Sequence, residues 1–265
     1  MKDISATEEA RVQGYWDRNA KNWVQGVRHG YDRLRRNFHD PAFYDLLGDV
    51  SNLRVVDLGC GEGITCRSLA QRGAQFVVGV DISPAMIAAA RSEKTLASAP
   101  IEYVISSISN VSVLDPGSFD CVVAVMSLMD LPNISAAMET AKRLLKEAGV
   151  FVFSITHPMW DRKDAEWERS LSGSWRLKVG DYFDTKSLLD RWSFSLPDGT
   201  PAHEPFEIPC YPRTVSEYLN AAVNAGMRLD RLAEPQAPSN VDSGVEGIFE
   251  RWRRIPFYLM ARFTS

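Results

Sequence analysis

Two kinds of segment alternate along this chain: short, nearly continuous apolar runs, and longer stretches with an apolar residue every three or four positions. The short runs are Leu53-Arg54-Val55-Val56-Asp57-Leu58, Phe76-Val77-Val78-Gly79-Val80-Asp81, Ile101-Glu102-Tyr103-Val104-Ile105, 119–126 and 150–155. Runs this apolar suit strands of a sheet covered on both faces. Helices are predicted between them: over 64–71 with Gly73 as its stop, over 84–91, and over 134–146 ended by Gly149. Ser83 caps the second of these, and Pro84 fits its first turn, where no amide donor is needed. Thr214-Val215-Ser216-Glu217 has the form of a capping box ahead of a helix closing near Gly226, and strands follow at 228–232 and 256–263. The alternation predicts an α/β fold built on a doubly wound parallel sheet.

The first run passes directly into Gly59-Cys60-Gly61-Glu62-Gly63, three glycines at every second position. Glycine has no Cβ, so such a turn takes backbone angles closed to other residues and lets a ligand approach the main chain. Asp57 and Asp81 each stand where a strand gives out, at the sheet edge where open α/β folds bind ligands. This is a nucleoside-binding layout. A dinucleotide fingerprint requires G-x-G-x-x-G. Counted from Gly59 its last glycine falls on Ile64, and counted from Gly61 on Cys66, so neither register fits.

Asp57-x-Gly59-x-Gly61-x-Gly63 instead resembles the first motif of the class I S-adenosylmethionine (SAM) dependent methyltransferases, of the small-molecule type. The order of elements is similar through all five strands. The resemblance implies a Rossmann-like sheet of seven strands in the order 3-2-1-4-5-7-6, the last antiparallel. It also implies SAM as cofactor, with S-adenosylhomocysteine as product. By the same resemblance Asp81 takes the ribose hydroxyls, Ile82 packs on adenine, and Ser107 occupies the place where the family often has an aspartate near the adenine amino group. Met126 is expected beside the methionine half, and Asp57, Gly59, Cys60, Gly61, Met86 and Ile108 complete the cofactor contacts.

Domain boundaries follow from what lies outside the alternation. Residues 1–50 carry two short, aromatic-rich helical patterns and are expected to form an N-terminal helical lid. Residues 51–156 and 214–265 form the core. Residues 157–213 are irregular in pattern, and an insertion this long after the fifth strand is expected to build an acceptor pocket or lid. Tyr15 and Trp16 resemble the family's lid segment, and an aromatic face attracts a sulfonium as it does an ammonium. For Trp23, packing of the N-terminal helices is the preferred reading.

Methyl transfer to a lone pair needs alignment and exclusion of water rather than a nucleophilic side chain. A base is required only if the acceptor sheds a proton. Asp130 and His157 are the candidates: each follows a strand, and imidazole is the side chain best suited to act as a base at neutral pH. Asp130 suits a turn cap ahead of Pro132 equally well, and His157 a structural role. Arg213 reads as an anion site or a salt bridge.

Composition adds exclusions. The chain has 265 residues, a formal net charge of −4 and no sustained basic block, so nucleic acid is not an expected partner. Four cysteines and four histidines lack paired metal spacing, so no metal is expected. No apolar run reaches spanning length, which predicts a cytoplasmic protein without a membrane partner. A monomer or a homodimer is equally compatible. The predicted activity is methyl transfer to an oxygen or nitrogen of a small-molecule acceptor, against a non-catalytic SAM-binding regulator or a protein methyltransferase.

Overall fold

The computed structural model describes residues 2–93, 99–160, 164–196, 198–239 and 249–265. Helix α1 (Lys2–Arg28) leads through a π-helical turn (Arg35–His39) into α2 (Asp40–Leu47). The core follows as β1 (Arg54–Leu58), α3 (Ile64–Gln71), β2 (Phe76–Asp81), α4 (Pro84–Ser92), β3 (Ile101–Ile105), β4 (Phe119–Val125), α5 (Ile134–Leu144) and β5 (Leu145–Thr156). Four short strands come next: β6 (Glu166–Arg169), β7 (Trp175–Lys178), β8 (Leu188–Trp192) and β9 (Phe206–Cys210). Helix α6 (Val215–Asn224), β10 (Arg228–Ala233) and β11 (Tyr258–Thr264) complete the chain.

The main sheet runs β10-β11-β5-β4-β1-β2-β3. Its strands are parallel except β11, which pairs antiparallel with both β5 and β10. Counting only core strands, this is the 3-2-1-4-5-7-6 order. Alternate residues of each central strand feed opposite cores. Val55, Val77, Cys121 and Val123 pack with Phe43, Leu46, Leu69 and Ile87 beneath α2, α3 and α4. Val56, Val78, Val122 and Ala124 pack with Met138, Leu144, Tyr218 and Ala222 beneath α5 and α6. Period-2 alternation between two buried faces is why these strands read as continuous apolar runs.

Three expectations change. Two helices do occupy 1–50, but the first is long, Lys2–Arg28, and Gly26 within it gives close seating to the Phe194 ring, where a Cβ would collide. Helix α5 stops at Leu144 instead of 146, because Leu145 turns extended and pairs with Phe119; tertiary pairing overrides the helical propensity of Lys146 and Glu147. The 157–213 segment is not irregular: β6 pairs with β7 and β8 with β9 as two antiparallel hairpins.

Among the described residues no helix is long and apolar enough to cross a membrane.

Candidate functional site: the carboxyl edge of the sheet

The ends of β1, β2, β3 and β4 converge on the glycine turn. Gly59 and Gly61 take φ of +81° and +53°, the left-handed region that favours glycine. A Cβ on Gly59 would strike Ser127, whose hydroxyl donates to the Leu58 carbonyl at 2.8 Å, so this glycine seats the turn against the loop after β4. A Cβ on Gly61 would meet nothing within 4 Å. The turn is therefore closed on one side and open on the other, where a ligand can lie against the main chain.

Two carboxylates flank it. Asp57 is fully buried: Cys66 Sγ donates to Oδ2 at 3.4 Å, and Oδ1 has no hydrogen-bond partner. Burial pushes its carboxyl up to about 7. Asp81 accepts the Gly61 amide at 2.8 Å and the Ser83 amide at 2.8 Å, which fixes both oxygens beside the turn. Burial lifts it to about 6 against the pull of those amides. Both groups hold charge only at a cost here, and a cation or hydroxyl donor laid on the turn would offset that cost.

The remaining predicted cofactor residues divide by placement. Ile82 is half-buried beside Asp81, and Ile108 Cδ1 reaches the neighbourhood of Gly59. Ser107 Oγ accepts the Ser109 amide at 3.1 Å, a turn bond of its own. Cys60 contributes backbone to the turn while its thiol points inward beside Cys66, and burial raises it well above the ordinary thiol range. The Met86 side chain is buried in the core and its amide donates to the capping Ser83 Oγ at 3.1 Å. Met126 follows β4 with φ +53°, an uncommon conformation for a residue with a side chain.

Beyond Met126 opens a cavity of about 1270 Å³. Its walls come from the 31–39 segment, the loop after β4, both hairpins and the approach to β11. Indoles and phenyl rings dominate it, among them Trp16, Trp23, Trp160, Trp192, Phe194 and Phe257. Trp23 meets Trp16 edge-on at 5.1 Å and packs against Trp192, Phe194 and Phe206 at 5.3–5.8 Å. Its packing role thus joins α1 to the β8–β9 hairpin rather than pinning one N-terminal helix to another. Tyr15 is not on the wall, and the Arg18 guanidinium covers its ring at 4.2 Å.

Asp130 lines the cavity on a single 3₁₀ turn (Leu128–Asp130). Arg213 holds that turn by donating to the carbonyls of Leu128 and Leu131, which accounts for it without an anionic ligand. His157 does not reach the cavity wall. Its Nε2 is 2.7 Å from Glu234, just after β10, and its Nδ1 accepts the Met159 amide at 3.1 Å, so both ring nitrogens are taken up within the protein. The sequence reading missed Asp32, Arg35 and His39, which line the cavity beneath α1. Arg35 donates to Thr65 Oγ1 at 2.6 Å in the first turn after the glycines, and lies 3.4 Å from Asp40. The only local signal was a charged cluster ahead of α2, which reads as a solvated face.

Residues 56–153 match the methyltransferase domain family. Over 141 residues, 53% of this chain, the sequence is 32% identical to the ubiquinone biosynthesis O-methyltransferase of Neisseria meningitidis, covering 56% of that protein. Over 106 residues it is 33% identical to the enzyme of that name from Xanthomonas oryzae, covering 44% of it. The matches thus span about half the length of these curated relatives. Among solved structures, a SAM-dependent methyltransferase from Mesorhizobium loti superposes with a TM-score of 0.67 at 24% identity, over 85% of this chain and 96% of that one. Geranyl diphosphate methyltransferase in complex with SAM superposes at 0.55 with 17% identity, over 85% and 84%. Residues 56–153 thus match a methyltransferase domain, and the sheet that carries them has the fold of solved SAM-dependent methyltransferases.

Proposed function

We propose that this protein transfers the methyl group of SAM to an oxygen of a small aromatic molecule held in the 1270 Å³ cavity. The observation that carries the cofactor half is the pair of buried carboxylates, Asp57 and Asp81, on either side of an open glycine turn. SAM presents a sulfonium, an ammonium and two ribose hydroxyls to such a surface. A pyrophosphate would face like charge from Asp57 and Asp81. The unpartnered Oδ1 of Asp57 and the open face of Gly61 fit the group.

In this reading Asp81 holds the ribose hydroxyls, Ile82 and Ile108 sandwich the base, and Gly59, Cys60 and Gly61 present backbone to the amino-acid part. Met126 and Trp16 stand between cofactor and acceptor. When bound, SAM supplies an electrophilic methyl; the chain aligns the acceptor with it and excludes water. Oxygen is favoured over nitrogen by the O-methyltransferase names of the relatives, and an aromatic acceptor by the indole-rich wall.

Substituting Asp81→Ala is expected to weaken SAM binding by about 1.5–3 kcal/mol, the worth of a charge-assisted hydrogen bond. An unchanged affinity in calorimetry would remove Asp81 from the site. Incubation with methyl-labelled SAM and a panel of phenols should move label into an extractable product. Tight SAM binding with no transfer to any acceptor would favour a regulatory SAM-binding protein instead.

A further inference from the structure

Asp32 sits in the connection between α1 and the π-helical turn and lines the cavity. Its Oδ1 accepts the Arg35 amide at 3.0 Å, which fixes the tilt of the carboxylate. Arg35 in turn is bonded to Thr65, one residue beyond the start of α3, so the segment that carries Asp32 is tied to the helix that follows the glycine turn. Leu34 and Met126, the residue that follows β4, line the same cavity as Asp32.

The wall also limits what the acceptor is. Among the described residues, six aspartates and three arginines or lysines line it. Arg33 donates to the carbonyls of Ser195 and Leu196 at 3.2 and 2.6 Å; Arg35 donates to Thr65 and its Nε, without a hydrogen bond, has its charge faced by Asp40 at 3.4 Å. Such a wall does not favour an anionic acceptor. With its aromatic rings it suits an uncharged aromatic hydroxyl compound, which is a weak nucleophile until its proton has somewhere to go.

Resting on the methyltransferase reading, we propose that Asp32 receives the hydroxyl proton of a phenolic acceptor. The phenol donates its hydrogen bond to the Asp32 carboxylate while its ring lies among the indoles. As the phenol oxygen gives a lone pair to the methyl carbon, the carbon–sulfur pair stays with sulfur and the hydroxyl proton passes to Asp32. Solvent at the cavity mouth then takes it, so one proton is released per methyl transferred. Burial lifts the Asp32 carboxyl above the ordinary carboxylate range, while Arg35 and His39 pull it down and Asp40 pushes it up. Tyr258 on β11 is the remaining titratable group electrostatically coupled to it.

The test uses 4-nitrocatechol, whose visible absorption reports its own ionisation, titrated into protein saturated with S-adenosylhomocysteine below and above the probe's pKa. Ionised Asp32 disfavours a phenolate beside it, so the wild-type protein should bind the protonated probe preferentially and shift its ionisation to higher pH. Asp32→Asn keeps an oxygen for the Arg35 amide; it should bind the protonated probe about tenfold more weakly and abolish the shift. Asp32→Glu should restore part of the shift. The proposal is overturned if the wild-type protein binds no probe, or if Asp32→Asn leaves shift and affinity unchanged. Loss of the shift in Asp130→Asn with retention in Asp32→Asn would also overturn it, by giving the role to Asp130. S-adenosylhomocysteine affinity, read separately, should be equal in wild type and Asp32→Asn. Loss in the variant alone makes Asp32 a cofactor residue and sinks the proposal, whereas failure of both proteins to bind it sinks the methyltransferase reading.

Discussion

Asp57 and Asp81 show how a residue can be expensive to the fold and useful to the site. Folding lifts both carboxyls, to about 7 and about 6, by taking them out of water. The sign of the linkage follows. A carboxyl raised on folding stabilises the fold fully only below its unfolded pKa, and that contribution is lost as pH climbs through the folded value. For Asp57 the loss extends to about pH 7, so the ligand-free protein should lose stability from acid toward neutrality. A cation bound over Asp57 reverses the balance, because it favours the ionised form and pulls the pKa down. Binding of SAM near pH 7 should therefore release about half a proton. Calorimetry in buffers of different ionisation enthalpy measures this directly. Asp57→Asn should abolish the release; release that persists unchanged in the variant would place the titrating group elsewhere.

Helix α1 is a clasp between α4 and the β8–β9 hairpin. Asp17 accepts from the Ser83 hydroxyl at 2.5 Å and the Ala85 amide at 3.2 Å, joining the helix to the start of α4. Arg28 reaches the Ala89 carbonyl at 2.9 Å and Glu93 at 3.1 Å. Trp23 fills the aromatic cluster beneath the β8–β9 hairpin. Trp23→Ala should cost about 2–4 kcal/mol in urea unfolding, as expected for truncating a large aromatic hub, and should weaken SAM binding by loosening the clasp. A loss below about 0.5 kcal/mol would mean that α1 is held by its polar contacts alone. Core elements were legible in the sequence because each carries its own signal. The strands of the parallel sheet are buried on both faces, and Ser83, Asn133 and Thr214 cap helices through their own side chains. The hairpins were not legible. Their strands are four or five residues long, and what stabilises them is contact with Trp23 and Trp252, distant in sequence. Asp32 escaped notice for a similar reason: only the folded chain brings that charged stretch beneath β11 and beside the glycine turn.

At the scale of the whole molecule, the parallel sheet gathers four strand ends at one edge, and the added segments roof that edge. The matched domain, residues 56–153, carries Asp57, the glycines, Asp81 and Met126, so the strand-end acids and the turn proposed to hold the cofactor were readable from motif spacing. The cavity wall is drawn largely from 16–39, 160–212 and 252–258, outside that domain, and the proposed acceptor contacts lie there. This division explains why register arguments reach the cofactor and stop short of the acceptor. The central claim is that two buried acids and an open glycine turn select a cationic nucleoside over a dinucleotide. Its most direct test is calorimetric titration of the purified protein with SAM, S-adenosylhomocysteine and NAD in parallel. Saturable one-to-one binding of SAM and S-adenosylhomocysteine with no heat from NAD is the predicted result; saturable NAD binding with no response to SAM would contradict it.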